Sequence, residues 1–384
     1  MEEQFWKACK DGKLEEVINL LQNSQLNTNW HDSKYSTTPL LIACYKGHIE
    51  IVKLLLLDHR VDVNKMNNVN GQTPFYIACQ NGHTEIMKIL LKDKRVDVNK
   101  ANKHEATPFY ITCQQGHIEI VKLLLNDQIV DINKPNNNGA TPFYIACYSG
   151  HTNIVKSLLN DNRVDINQVA NNGETSFYIA CEKGQNEIVK LLLSDQRVDV
   201  NKSMNVGATP FYIACQNGQI EIVKLLLNDS RVDVNKPKNV GATPLYIACE
   251  KGQTEIVKLL LTDNRVDINK SSNDGTTPFY IACQNGQIEI VKSLLENGRE
   301  IDINKKWNNT KTPLDISKER STSTQKFSWE TDEQFQKAKR NCPKIVELIE
   351  LFERNPDETR TKLSQEFATR KIILFYYYSL IDFD

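Results

Sequence analysis

Hydrophobic and polar positions along this chain fall into a recurring cycle, visible from Thr209 onward. Phe211, Ala214 and Cys215 lie at i, i+3 and i+4, one face of a short helix. Thr209 is its N-cap, the hydroxyl accepting from an otherwise unpaired backbone N–H. Pro210 takes the first helical position, where its missing N–H costs nothing. Gly218 ends the helix in a left-handed turn. A second helix is predicted over Ile220 to Leu227, with Ile222, Val223, Leu226 and Leu227 apolar and Glu221 and Lys224 one turn apart on the wet side. Asn228 to Arg231 breaks it. Val232-Asp233-Val234-Asn235 then alternates as a short extended segment does, and Lys236 to Ala242 reads as a turn into the next cycle. Neither helix can bury its apolar face alone, so such units must stack.

The opening threonine recurs at Thr38, Thr73, Thr107, Thr141, Thr175, Thr209, Thr243, Thr277 and Thr312, every 34 or 35 residues. The segment TPFYIACQNGQIEIVKLLLNDSRVDVN resembles the ankyrin repeat, whose core is Thr-Pro-Leu-His-x-Ala, then Gly-His, a Val/Leu-rich helix and Asp-Val-Asn. The resemblance covers Thr38 to about Ile316 and implies an all-α solenoid of helix-turn-helix-hairpin units in a curved array. At about 8–10 Å per unit the body would be roughly 80–100 Å long. It divides the chain into an N-terminal capping repeat (1–36), eight repeats (37–310), an atypical C-terminal repeat (311–352) and a tail (353–384). Within the atypical repeat a polar insertion at 318–341, read as loop or partly helical, displaces the second helix to Pro343–Phe352. Phe352 to Leu363 resembles tails that follow ankyrin arrays in some single-celled eukaryotes. The apolar run Ile372 to Ile381 is too short to span a bilayer, which takes about 20 residues. It is left between docking on the last repeat, a partner or membrane surface, and a free tail.

Three departures recur in register. The usual His of Thr-Pro-x-His is tyrosine at Tyr76, Tyr110, Tyr144, Tyr178, Tyr212, Tyr246 and Tyr280; the second alanine is cysteine; and Asp-x-Arg-Val replaces the usual Gly-Ala, adding one residue. The tyrosines are read as packing between repeats, each phenol bonding a neighbouring loop, with direct ligand contact as the alternative. The Asp-x-Arg pairs, such as Asp93/Arg95 and Asp229/Arg231, are read as surface ion pairs or a cross-repeat ladder, each contributing at most about 1 kcal/mol. Eight of the ten cysteines recur with the repeat, from Cys44 to Cys283, with Cys9 in step before them. Equivalent positions about 8–10 Å apart exceed the reach of a disulfide, about 7 Å, so they are expected as reduced core residues of a cytoplasmic or nuclear protein.

Composition narrows the function. Hydrophobic residues at 40% suit packed structure, and a net charge of -1 supplies no field for nucleic acid. His48, His83, His117 and His151 come one per repeat, too far apart to converge on a metal. No phosphate loop, nucleophile elbow or zinc pattern occurs, and an active site needs different residues brought together once, whereas this chain repeats the same ones. No catalytic residue, cofactor or metal is therefore expected. The resemblance implies a protein partner along the hairpin tips and the exposed side of the first helices. The candidate positions are Tyr35, Tyr45, Gln80, Asn81, Gln114, Gln115, Tyr148, Glu182, Gln216, Asn217, Glu250, Gln284 and Trp307, with Tyr35, Tyr45, Tyr148 and Trp307 as aromatic anchors. A monomeric scaffold or adaptor is the leading reading. The alternatives are a regulatory or targeting subunit acting through the C-terminal region and a spring-like structural element.

Overall fold

The computed structural model describes the backbone of residues 1–381 and the side chains of residues 1–369. Among them are 21 helices and no strand. The helices pair in chain order as the cycle predicts, with first helices such as α3 (Pro39–Lys46) and α13 (Pro210–Asn217) alternating with second helices such as α4 (Ile49–Leu57) and α14 (Ile220–Leu227). The chain divides into two compact units, Met1–Asp199 with α1 (Glu2–Asp11) to α12 (Asn186–Ser194), and Val200–Asp384 with α13 to α21 (Pro356–Ile381). Within each unit first helices pack on first helices and second on second.

Local chemistry sets the helix ends. Every repeat threonine from Thr38 to Thr312 is an extended N-cap whose hydroxyl accepts from the backbone N–H three residues on, as Thr209 does from Tyr212 at 3.0 Å. Gly218 closes α13 at φ 76°, and a Cβ there would stand 2.8 Å from Gln253 Oε1 of the next repeat. Burial follows the period. Phe75, Phe109, Phe143 and Phe177 in the first unit and Phe211 in the second are each no more than 2% exposed, and the repeat cysteines are fully buried. All ten thiols are free and buried. Burial raises their pKa values, Cys9 to about 12.

The hairpin loops differ from the expected extended segment: Val234 and Asn235 lie in a turn, with Val232 and Val234 pointing into the core. The asparagine of each turn bridges two repeats. Asn235 Nδ2 donates to Arg265 O at 2.6 Å, and Asn235 Oδ1 accepts from Asp267 N at 2.8 Å. The same pair of bonds recurs at Asn29, Asn64, Asn99, Asn133, Asn167, Asn201 and Asn269. The Asp-x-Arg motif forms both of its expected contacts. Arg265 pairs with Asp263 at 2.6 Å and also donates from Nη2 to Leu227 O, a free carbonyl at the C-terminal end of the preceding second helix.

The polar insertion at 318–341 is partly helical, one of the two readings its composition leaves open. Helix α19 spans Pro313–Thr322, and α20 spans Asp332–Arg354, so the second helix starts well before Pro343 and takes in the end of the insertion. Thr331 and Gln334 close a capping box that starts α20 there, and its buried face includes Phe335, Ala338 and Cys342. Buried Arg320 pairs with Glu330 and stacks between Phe327 and Phe335. Helix α20 passes so close to Gly286 that a Cβ there would lie 2.6 Å from Ala338 Cα, and Asn341 Nδ2 donates to Gly286 O at 2.8 Å. It covers the turn that a following repeat would otherwise cover. Helix α21 lies on α18 (Ile288–Glu296), where Glu366 pairs with Lys292 at 2.7 Å. The side chains of the apolar run 372–381 are outside the described residues.

Candidate partner-binding surface

Two of the recurrent features are structural. Tyr76 and Tyr110 are buried, and their phenol oxygens accept from Asn102 Nδ2 and Asn136 Nδ2 of the next loop, each at 3.1 Å. Tyr144 donates to Glu174 Oε2 at 2.6 Å. Packing between repeats with a bond to a neighbouring loop is therefore what Tyr76, Tyr110 and Tyr144 do. The histidines behave similarly: His48, His83, His117 and His151 place Nε2 on the backbone oxygens of Lys10, Tyr45, Gln80 and Gln114, at the end of the preceding first helix. No group of three or more His, Cys, Asp or Glu able to hold a metal occurs among the described residues.

The hairpin tips are tied to one another through the backbone. Lys103 N donates to Asn70 O, Asn137 N to His104 O and Asn171 N to Asn138 O in the first unit, and Asn239 N to Val206 O and Asn273 N to Val240 O in the second. This uses the main-chain groups of the tips and leaves their side chains outward, including Val69, Val206 and Val240, each exposed.

In the first unit, Tyr45, Asn81, Gln114, Gln115 and Tyr148 are exposed at the ends of first helices, and Gln80 and Glu182 are half-buried. Tyr35 is exposed at a tip. Three of the aromatic candidates carry a lysine over the ring: Lys34 on Tyr35 at 4.8 Å, Lys46 on Tyr45 at 5.5 Å and Lys183 on Tyr148 at 4.9 Å. Some candidates are already engaged. Gln80 Oε1 accepts from Gln72 at 2.8 Å, and Asn81 Nδ2 donates to Tyr45 O at 3.2 Å.

In the second unit, Asn217 is exposed, and Gln216, Glu250 and Gln284 are half-buried. Trp307 is 37% exposed, and its backbone N–H and carbonyl bond Lys311 and Thr310 of its own loop. Burial works against the charge of Asp274, but bonds from Ser272 and Thr276 outweigh it and lower its pKa. Gln216 and Glu250 share a recess of about 570 Å³ with Tyr212, Tyr246, Lys238, Val240, Lys251 and Asp274. Asn217, Gln284 and Trp307 are not among its lining residues.

The motif-by-motif reading misses the asparagine ladder, although an asparagine recurring in step at the end of each Asp-x-Asn carried the signal. It also misses Trp329, 73% exposed and stacked on Phe327 at 4.7 Å, which has no counterpart elsewhere in the cycle.

Tandem capped helix pairs, stacked like on like, define a helical repeat protein. The family model for ankyrin repeats, in three copies, matches residues 5–102, 55–136, 95–170, 162–238 and 230–306, so the chain belongs to the ankyrin-repeat family. Ankyrin repeats are generally protein–protein interaction modules, and their fold is typically non-enzymatic. No individual curated protein matches the chain. None of the helices among the described residues is long and apolar enough to cross a membrane.

Proposed function

We propose that this chain is a non-enzymatic scaffold or adaptor that holds a partner protein along the exposed side of its first helices and its hairpin tips. One observation carries the reading. The loop asparagines and the turn histidines spend their hydrogen-bonding groups between repeats, while Tyr45, Asn81, Gln114, Gln115, Tyr148 and Asn217 at the first-helix ends are exposed. Aromatic anchors among adaptable amides are the composition of a protein-binding surface. Repetition of the same residues argues against a reaction centre, and the scaffold acts as a monomer in the cytoplasm or nucleus, without cofactor or nucleic acid.

A second reading, a targeting subunit acting through the C-terminal region, is favoured by Trp329, an exposed tryptophan on the loop between α19 and α20. Affinity capture from the protein's own cells compares the intact chain with two variants. One changes Gln80, Gln114, Tyr148, Gln216 and Gln284 to glutamate, and the other is Trp329→Ala. Loss of a captured partner with the five-position variant alone supports the scaffold. Loss with Trp329→Ala alone supports the targeting subunit, and retention in both contradicts both readings. Removal of residues 318–384 is a poorer test, because it strips α20 and α21 from α18 and leaves Lys292 without Glu366.

A further inference from the structure

The recurrent tyrosines are not all treated alike. In the first unit the residue 26 positions after Tyr76 and Tyr110 is an asparagine that bonds the phenol. At the same offset in the second unit, Tyr212 meets Lys238 and Tyr246 meets Ser272. The Ser272 hydroxyl is taken by Asp274 Oδ1 at 2.5 Å and Thr276 O at 3.0 Å. Neither the Tyr212 nor the Tyr246 phenol has a hydrogen-bond partner among the described residues, and both residues line the recess of about 570 Å³.

The other polar groups of that recess sort by role. The Lys238 ammonium and the Gln216 side-chain amide have no partner among the described residues. The two carboxylates are engaged, Glu250 with Lys251 at 2.9 Å and Asp274 with Ser272 and Thr276. Burial, reinforced by Glu250, raises the pKa of both phenols, so they remain protonated donors. What stands open is therefore a set of donors that includes the Lys238 ammonium, beside an apolar wall of Val240, Ala242 and Ile247.

We propose that this recess is the array's specificity pocket and takes the carboxylate side chain of an aspartate or glutamate presented by a partner protein. A carboxylate oxygen is the acceptor that two phenols, an amide and an ammonium satisfy together, and charge assistance makes such bonds stronger than neutral ones. The inference rests on the scaffold reading above and names the chemistry its partner must bring.

The test selects a displayed library of random 12-residue peptides on the full chain and measures the affinity of the enriched peptides. Lys238→Asn with Ser272→Asn rebuilds in the second unit the phenol cap of the first. This variant is expected to melt no lower than the parent and to bind an enriched peptide about 10-fold or more weakly. Tyr212→Phe with Tyr246→Phe, which keeps the packing, is expected to do the same. Changing the peptide's acidic residue to its amide is expected to cost a similar factor on the parent and little on either variant. Enriched peptides with a basic or wholly apolar anchor overturn the pocket, as do acidic peptides indifferent to both variants. If such peptides are lost instead on Gln80→Glu with Gln114→Glu, the scaffold reading stands and the pocket falls. If nothing is enriched, or no variant matters, both fall.

Discussion

Asn235→Ala removes one rung of the asparagine ladder, and its cost can be worked from the two bonds it breaks. The amide donates to Arg265 O at 2.6 Å and accepts from Asp267 N at 2.8 Å, so the loop after α14 is held to the loop after α16 (Thr254–Thr262). A hydrogen bond between neutral groups contributes about 1 kcal/mol net. Asn235 is half-buried, so water partly replaces the lost partners, and the sum for two bonds is about 1–2 kcal/mol. Because neighbouring repeats are coupled only through their interface, the loss falls on cooperativity between α14 and α16 as well as on total stability. In urea, with a slope of about 2 kcal/mol/M, the helical circular-dichroism midpoint is expected to drop by roughly 0.5–1 M. Lys224→Ala, which breaks the exposed pair with Glu221 on α14, is the control, expected to cost at most about 0.5 kcal/mol. Equal effects from the two variants refute the claim that the ladder couples the repeats.

Three further outcomes follow from the same structure. Gly218→Val forces a β-branched residue to φ 76° and against Gln253, and should broaden or split the thermal transition; an unchanged melt contradicts the turn assignment. Hydrogen bonds from the paired arginines hold the carboxyls of Asp58, Asp93, Asp161, Asp229 and Asp263 below their ordinary value of 3.8. A depressed folded-state pKa gives stability that is full above the unfolded value and lost as pH falls through the folded one. The melting temperature should therefore fall as pH drops below about 4, and less steeply in Asp229→Asn; a melt that rises on acidification refutes the pairing. Native protein at pH 8 should react with no more than a trace of Ellman's reagent and should show all ten thiols once unfolded; fast reaction of the folded chain would mean the cysteine column is open to solvent.

Much of the fold is legible in the sequence because each repeat states its own boundaries. The threonine cap, the proline after it and the glycine at the far end are local signals, and Thr209, Pro210 and Gly218 do in the structure what their chemistry dictates. The loops are less legible. Val232 and Val234 alternate with polar residues as a strand would, but Asn235 folds back to bond the next loop, a non-local contact no periodicity reports. The C-terminal region is the least legible. Its polar composition leaves loop and partial helix open and does not show that Arg320 is drawn inside by Glu330 and two phenylalanines, or that α20 gains its footing on Gly286. The candidate surface is proposed from the sequence as a row of positions before each helix-ending glycine, of which Tyr45, Asn81, Gln114, Gln115, Tyr148 and Asn217 are exposed and Gln80, Glu182, Gln216, Glu250 and Gln284 are half-buried. Whether a phenol is capped as at Tyr76 and Tyr110 or left open as at Tyr212 and Tyr246 depends on what stands 26 residues later in a neighbouring repeat.

The most direct test of the central claim places a photo-crosslinking amino acid at Gln216 on a first helix or at Lys224 on a second helix, in otherwise intact chains, and irradiates them in the protein's own cells. A partner protein joined through position 216 and not through 224 is the expected result. A partner joined only through 224 would contradict the claim that the exposed side of the first helices is the binding surface.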